Sequence, residues 1–277
     1  MAEISAGTVV KLRKISGQGM MDCKKALEEA NGDMDKAMEI LRKKGLATLA
    51  KRAERETSEG AVVSWQSPDG KSAALATLCC ETDFVARSDG FLAMVDAIRD
   101  YMAAAGSAQG PEGLLQTVIG GRDFQEIVTE GVSKTGEKMQ VGDYVRFKLE
   151  GAGIIGIYVH FNHKVGSMVQ IDTSDEKVAA SASIKQAASD FAMHITASKP
   201  LALDDQSLDP QLVEREKAIY VEQVQNKPPE IVKRIVEGKM KKFYADYCLM
   251  QQPFVKDDTK TVEQVLNEAA KQAGGEA

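Results

Sequence analysis

Histidine and cysteine are the side chains in this sequence best suited to hold a metal or to act as a nucleophile, and both are scarce. The chain contains three histidines and four cysteines among 277 residues. His160 and His163 are close in "HFNH", but a strand or turn does not bring their rings together as a helix would. Cys79 and Cys80 are adjacent on an expected strand, so their thiols point to opposite faces. The sequence therefore predicts neither a metal centre nor an activated nucleophile.

The stretch "GAGIIG" (151–156) matches the G-x-G-x-x-G fingerprint of dinucleotide-binding proteins, and Asp172 lies near the position expected for the ribose contact. That fingerprint requires a helix directly after it, because the helix N-terminus holds the pyrophosphate. The residues that follow, "IYVHF", favour a strand instead. We interpret the match as coincidence and keep a dinucleotide enzyme as a distant alternative, which would need a helix after Gly156.

Phe84 is the residue best placed to recognise another molecule. It stands in "ETDF" (81–84), a polar stretch after the strand-like run "AALATLCC" (73–80). A large apolar side chain there either packs beneath its own loop or contacts another molecule, and both interpretations stay open. Met20 and Met21 pose the same question, because adjacent helical residues point about 100° apart and methionine suits adaptable binding surfaces.

The composition is that of a globular protein with a sizeable core, at 43% hydrophobic and 27% charged residues. A net charge of −6 and a pI near 5.3 argue against a general binder of nucleic acids or membrane surfaces. The N-terminus does not have the pattern of a signal peptide, and no apolar run approaches the roughly 20 residues of a membrane span. The cysteines are too few for a disulfide framework. We expect a cytoplasmic protein.

The elements that must position these side chains indicate the α+β class. Three short helices with glycine-rich turns, the third ending at Gly45, predict an N-terminal module of the ubiquitin-associated (UBA-like) type. The predicted parts are a UBA-like helical module with a charged tether (1–55), a first core subdomain (56–145), a second core subdomain (146–200, completed by 246–265), a helical hairpin of coiled-coil type (201–245) and a C-terminal tail (266–277).

A weak internal repeat runs through the predicted core. "EGAVVSW" (59–65) and "GAGIIGIYVH" (151–160) are both glycine-containing, β-branched runs that end in aromatic residues. Each precedes a second strand and then an alanine-rich helix, at an offset of about ninety residues, which indicates a duplicated antiparallel hairpin-plus-helix unit. Farther along, two amphipathic helices separated by "NKPPE" (226–230) predict an antiparallel helical hairpin that projects from the body.

Several blocks of the chain resemble the bacterial elongation factor Ts family, the guanine-nucleotide exchange factors of elongation factor Tu. The blocks follow one another in the family's order over nearly the whole chain. They are "GMMDCKKALEEANGDMDKAMEILRKKG" (19–45), "TDFVAR" (82–87) with Phe91, "YVH" (158–160), "MHITASKP" (193–200) and "EGKMKKF...QPFV" (237–255).

The resemblance implies an exchange factor without catalytic chemistry or cofactor of its own, which binds elongation factor Tu and neither nucleic acid nor membrane. It implies that Asp83 and Phe84 engage the partner's GTP-binding domain, with the phenyl ring wedged between its helices. The resemblance implies that the following residues contact the partner: Thr82, Asp83, Phe84 and Val85 in the first core subdomain, His160 at the end of the Tyr-x-His strand, and Leu12, Met20 and Met21 in the helical module.

The sequence departs from the family's pattern at three places. His160 is followed by "FNHKVGSMV" where members usually have a glycine-rich turn, "SDGF" (88–91) replaces an Asn-acid stretch, and many members continue beyond "GGEA" (274–277) with another strand. The exact pose of His160 and the formation of a homodimer or a 2:2 complex therefore stay open. The alternative function is a non-exchange adaptor that uses the helical module to bind another protein.

Overall fold

The computed structural model describes residues 4–277, which form two compact units built from helices and small sheets. This mixture confirms the α+β class. The first unit consists of the chain up to Pro68, Ala73–Arg146 and Phe161–Val165, and the second of Asp69–Ser72, Phe147–His160 and Gly166–Ala277. None of the helices within residues 4–277 is long and apolar enough to cross a membrane.

Three helices begin the first unit: α1 (Ala6–Ser16), α2 (Met20–Glu29) and α3 (Met34–Lys51). Ser5 and Asp33 cap the N-termini of α1 and α3 by accepting hydrogen bonds from backbone N–H groups, and Gly17 ends α1 in the left-handed region with φ 66°. Leu12 and Leu27 are buried where the helices meet. The helices form a small apolar cluster of their own.

The chain continues with a sheet covered by helices. Its elements are β1 (Glu59–Gln66), β2 (Ser72–Cys80), α4 (Asp83–Ala86), α5 (Asp89–Ala104), α6 (Gly110–Leu115), β3 (Val118–Ile119), β4 (Arg122–Asp123), α7 (Phe124–Thr135) and β5 (Met139–Lys148). The strands β1, β2 and β5 form a three-stranded sheet with β2 in the centre, and β1 pairs with β2 in antiparallel fashion. Phe91 and Ile98 of α5 and Phe124 of α7 are buried in the core beneath it.

The third helix does not end at Gly45, and the first residues of the predicted tether are helical. Gly45 is buried in the middle of α3, where a Cβ atom would lie 2.6 Å from the carbonyl oxygen of Thr129 on α7. The glycine therefore serves close helix–helix packing rather than helix termination. The hydroxyl of Ser133 donates to the Leu41 carbonyl across the same contact at 3.2 Å.

The second unit contains a second sheet with its own helical cover. Its elements are β6 (Gly153–Val159), β7 (Gly166–Asp172), α8 (Glu176–Ala179), α9 (Ala182–Ser198), α10 (Pro210–Glu222), α11 (Pro229–Tyr247), β8 (Pro253–Phe254), β9 (Asp257–Thr261) and α12 (Val262–Ala273). The antiparallel pair β6–β7 is covered by α9, and α10 packs against α11. Helix α12 runs through residue 266, where the sequence had suggested a boundary, and its Ala269 and Ala270 are buried in the second core.

The dinucleotide alternative is wrong. Strand β6 continues past Gly156 to Val159 and pairs with β7, whereas a pyrophosphate site would need a helix there. A Cβ atom on Gly156 would lie 2.1 Å from the Ala188 carbonyl oxygen, so this glycine lets α9 pack directly on the strand.

Candidate partner-binding surface

Phe84 is exposed on a single turn of helix rather than in a loop. Thr82 caps α4, since its hydroxyl oxygen accepts a hydrogen bond from the Val85 N–H at 3.3 Å. The next side chain, Val85, is buried in the core, whereas Phe84 is 82% exposed. The turn therefore holds its apolar residue away from the protein, and packing beneath its own loop is ruled out.

The turn is fixed at both of its ends. The Thr82 hydroxyl donates to the carboxylate of Glu137 at 3.0 Å, which ties the start of α4 to the segment before β5. At the other end the Ser88 hydroxyl donates to the Val85 carbonyl at 2.8 Å, and Ser88 also caps α5 by accepting from the Phe91 N–H. Phe84 is consequently presented on a rigid support, which reduces the entropy lost when a partner binds it.

An ion pair with Arg52 stabilises Glu81, the residue before the turn. The Arg52 guanidinium donates to both carboxylate oxygens of Glu81, at 2.8 and 2.7 Å, and the Lys138 N–H donates to the same group at 2.6 Å. Burial alone would raise the pKa of Glu81, but the bonds from Lys138 and Arg52 outweigh it and lower the pKa from its ordinary value. Glu81 is therefore ionised at neutral pH and links the end of β2 to α3 and β5.

The second unit contains a similar turn that can be compared with this one. Helix α8 follows the β6–β7 hairpin as α4 follows β1–β2, and each short helix is followed by a long helix with a serine cap. The matching positions are Thr82 and Asp175 as caps, Val85 and Val178 as buried residues, Ser88 and Ser181 as caps of the long helix, and Phe84 and Lys177 as exposed residues. Since the turn in the second unit carries lysine at the exposed position, this kind of turn does not need an aromatic residue there to fold.

The N-terminal helices expose more apolar side chains than the sequence suggested. Met20 is 40% exposed and Met21 is 62% exposed, so the interpretation that both belong to the core is wrong. Val10 and Ile15 of α1 are also exposed. Leu12, in contrast, has no exposed surface, so its side chain supports this surface from below and does not form part of it.

His160 lies directly after β6 in the second unit. It is half-buried, and its Nδ1 is 2.8 Å from the hydroxyl of Tyr158. The two rings are tilted against each other with centroids 6.0 Å apart. This hydrogen bond orients the imidazole ring, because it ties one of the two ring nitrogens to a neighbouring strand residue.

The cysteine, histidine and acidic side chains are the groups of the described chain that could hold a metal or act as a nucleophile. No group of three or more His, Cys, Asp or Glu side chains there could hold a metal ion. Burial raises the pKa of Cys80 to about 11, so its thiol is protonated at neutral pH and is a poor nucleophile. What the described part of the chain presents is a set of exposed apolar side chains on rigid supports.

Comparison with known proteins places these residues in a family context. The model of the family described as Elongation factor TS matches residues 81–275, a segment that contains both Phe84 and His160. Elongation factor Ts of a Nitratiruptor species is 43% identical over 99% of this chain and 90% of its own length. Elongation factor Ts of Desulfovibrio desulfuricans is 40% identical over 100% of the chain and 95% of its own length, and that of Clostridium perfringens is 38% identical over 98% and 88%.

Proposed function

The chain belongs to the elongation factor Ts family, and we propose that it binds elongation factor Tu in the GDP-bound and nucleotide-free forms and promotes GDP release. The family supports a role in translation elongation. The observation that carries the proposal is Phe84, which is 82% exposed on a rigid turn where the matching turn of the same chain has a lysine. A large apolar side chain held in water by its own fold is best explained by a pocket on another protein.

Each site residue has a role in this proposal. Asp83 and Phe84 enter the partner, while Thr82 and Val85 fix the turn that carries them. Met20 and Met21 contact the partner from the helical module, and Leu12 supports them from below. His160 approaches the partner's nucleotide-binding elements. The protein would act in the cytoplasm without catalytic chemistry, cofactor, nucleic acid or membrane.

The energetics require several contacts to act together. Weakening GDP binding about 1,000-fold needs roughly 4 kcal/mol of coupling between nucleotide and factor. Burying one phenylalanine side chain contributes about 1.5–3 kcal/mol. Phe84 alone is therefore insufficient. In our proposal other contacts hold the partner while Phe84 shifts a helix that positions the Mg²⁺ ligands, and the diphosphate is then released because its cation is lost.

The test is stopped-flow release of fluorescent GDP from the cognate elongation factor Tu. We expect the wild-type protein to accelerate release strongly and Phe84→Ala to lose most of this effect while melting at the wild-type temperature. Lys177→Ala is the matched control, because it truncates the exposed side chain at the equivalent position of the similar turn in the second unit, and it should behave as wild type. Equal loss of exchange and of thermal stability in Phe84→Ala would show that the residue is structural. Light scattering of the same complex distinguishes a 1:1 from a 2:2 assembly.

The exposed methionines of the helical module favour one other candidate, a non-exchange adaptor that binds a partner through Met20 and Met21. Such an adaptor would bind equally well after Phe84→Ala and would lose its partner in the Met20→Ala/Met21→Ala variant. An exchange factor would instead lose GDP release in both variants.

A further inference from the structure

Phe161 is as exposed as Phe84. At 85% and 82% exposed, these two phenylalanines are the most exposed large hydrophobic side chains within residues 4–277. Phe161 begins the segment Phe161–Val165 between β6 and β7, and this segment belongs to the first unit, as α4 does. No sequence pattern around Phe161 indicates a role for it.

The segment that carries Phe161 is anchored to strand β1. The Val62 N–H donates to the His163 carbonyl oxygen at 2.7 Å, and the Lys164 ammonium forms an ion pair with Glu59. Within the segment, the Lys164 N–H donates to the Asn162 side-chain oxygen at 3.0 Å, which closes a tight turn. Phe161 is thus presented on a supported turn, so binding a partner there costs little additional ordering of the backbone.

A pocket of about 600 Å³ lies between this turn, β1 and the helices α4 and α5. Its apolar wall includes Ala61, Leu92 and Val95. Its charged residues form ion pairs with one another, namely Asp83 with Arg87, Asp96 with Arg99, and Glu59 with Lys164. Because these charges are compensated within the protein, the pocket favours an apolar side chain over a charged ligand, and a polar rim around an apolar centre is typical of binding hot spots.

We propose that Phe161 and this pocket bind the same partner protein as Phe84. We call this additional contact region the second anchor. Asp83, which precedes Phe84 on α4, and Arg87, which directly follows α4, both line the pocket, so a partner that covers Phe84 extends onto the pocket. Phe161 becomes buried against that partner, and an apolar side chain of the partner enters the pocket. This inference rests on the proposed function, in which the partner is elongation factor Tu.

The anchor is tested by the affinity of the full-length protein for nucleotide-free elongation factor Tu. We expect Phe161→Ala to raise the dissociation constant about 10- to 100-fold, mainly through faster dissociation. Phe161→Leu should retain most of the affinity because it keeps an apolar side chain. Leu92→Lys, which places a charge in the pocket, should weaken binding in the same way. Val118→Ala truncates an exposed apolar residue on β3 and serves as the matched control, with no expected change.

The outcomes separate this inference from the proposed function. If the wild type accelerates GDP release but Phe161→Ala and Leu92→Lys bind with wild-type affinity, the second anchor is wrong and the exchange function stands. If the wild type binds without accelerating release while both variants weaken binding, the anchor stands and the exchange function fails. A large fall in melting temperature for Phe161→Ala would assign the residue to the fold and overturn the anchor.

Discussion

Phe84 and Val85 are neighbours with opposite roles, and the difference follows from the one-turn helix on which both lie. Val85 is buried in the core, so its truncation would leave a cavity. Phe84 is exposed, so its truncation removes little packing from the folded protein and little stability with it. A variant at Phe84 can therefore report on partner binding alone, which makes it a better probe of function than any residue beneath it.

His194 gives the protein a predictable response to acid. Its ring is fully buried, Nδ1 accepts from the Val255 N–H at 3.2 Å, and Nε2 therefore carries the proton and donates to the Gln252 side-chain oxygen at 2.9 Å. Burial lowers the pKa of His194 and outweighs the Gln252 hydrogen bond, which raises it. Below about pH 6.5 the unfolded chain takes up a proton that the folded protein resists.

We therefore expect the free energy of unfolding to be at its full value above about pH 6.5 and to fall as the pH decreases below it. Urea denaturation at pH values on both sides of about 6.5 measures the slope. His194→Gln should have a smaller slope than the wild type, because the variant lacks the buried imidazole that resists protonation. Identical slopes in the wild type and His194→Gln would contradict this assignment.

At the level of elements, the contact between α3 and α7 depends on the absence of a side chain at Gly45. Alanine is intrinsically better than glycine in a helix by about 1 kcal/mol. At this position, however, its Cβ would lie 2.6 Å from the Thr129 carbonyl oxygen, so the two helices would have to move apart. We expect Gly45→Ala to destabilise the protein by about 1–3 kcal/mol despite the better propensity.

Gly238 is the matched control, since it lies exposed within α11 and a Cβ atom there would meet nothing within 4 Å. Gly238→Ala should stabilise the protein by about 0.5–1 kcal/mol. Urea unfolding of both variants measures the two changes. A stabilised Gly45→Ala would mean that the α3–α7 contact tolerates the extra methyl group.

Gly45 also shows how much of the fold a local sequence pattern can predict. A glycine after a basic stretch predicted a helix end at Gly45, but the same residue type can permit close packing, and the choice is set by α7, about eighty residues later in the chain. Ile15 is exposed for a similar reason, because the neighbouring helices decide which part of an apolar helix face is covered. Strand and helix locations were more predictable, since alternation and amphipathic repeats are local properties.

The candidate site was predictable only in part for the same physical reason. Phe84 stood out as an apolar residue among polar ones, although α4 is too short to show a helical period. Phe161 carried no pattern at all, because its exposure depends on a turn that is anchored to β1. The contact between Thr82 and Glu137 joins residues far apart in sequence and becomes visible only in the folded chain.

At the scale of the whole molecule, an exchange factor needs two kinds of contact with different thermodynamic signatures. A contact made equally in the GDP-bound and nucleotide-free complexes strengthens both and shifts nothing between them. A contact made fully only when GDP is absent drives GDP release. Linkage requires that the factor weakens GDP binding by the same ratio as GDP weakens binding of the factor. In our proposal Phe161 makes the first kind of contact and Phe84 makes the second.

This division predicts different behaviour for the two phenylalanine variants. It can be tested by measuring four affinities: that of the factor for elongation factor Tu with and without GDP, and that of GDP for elongation factor Tu with and without the factor. Phe161→Ala should weaken binding to GDP-bound and nucleotide-free elongation factor Tu by the same factor. The dissociation constant for the GDP-bound form divided by that for the nucleotide-free form should therefore keep its wild-type value. Phe84→Ala should reduce that ratio about tenfold or more, because burial of one phenylalanine is worth about 1.5–3 kcal/mol.

Calorimetric titrations with and without GDP provide the ratio, and GDP affinity measured with and without the factor must give the same number. A Phe161→Ala variant with a reduced ratio would make Phe161 part of the displacing group, and a Phe84→Ala variant with an unchanged ratio would make Phe84 an anchor.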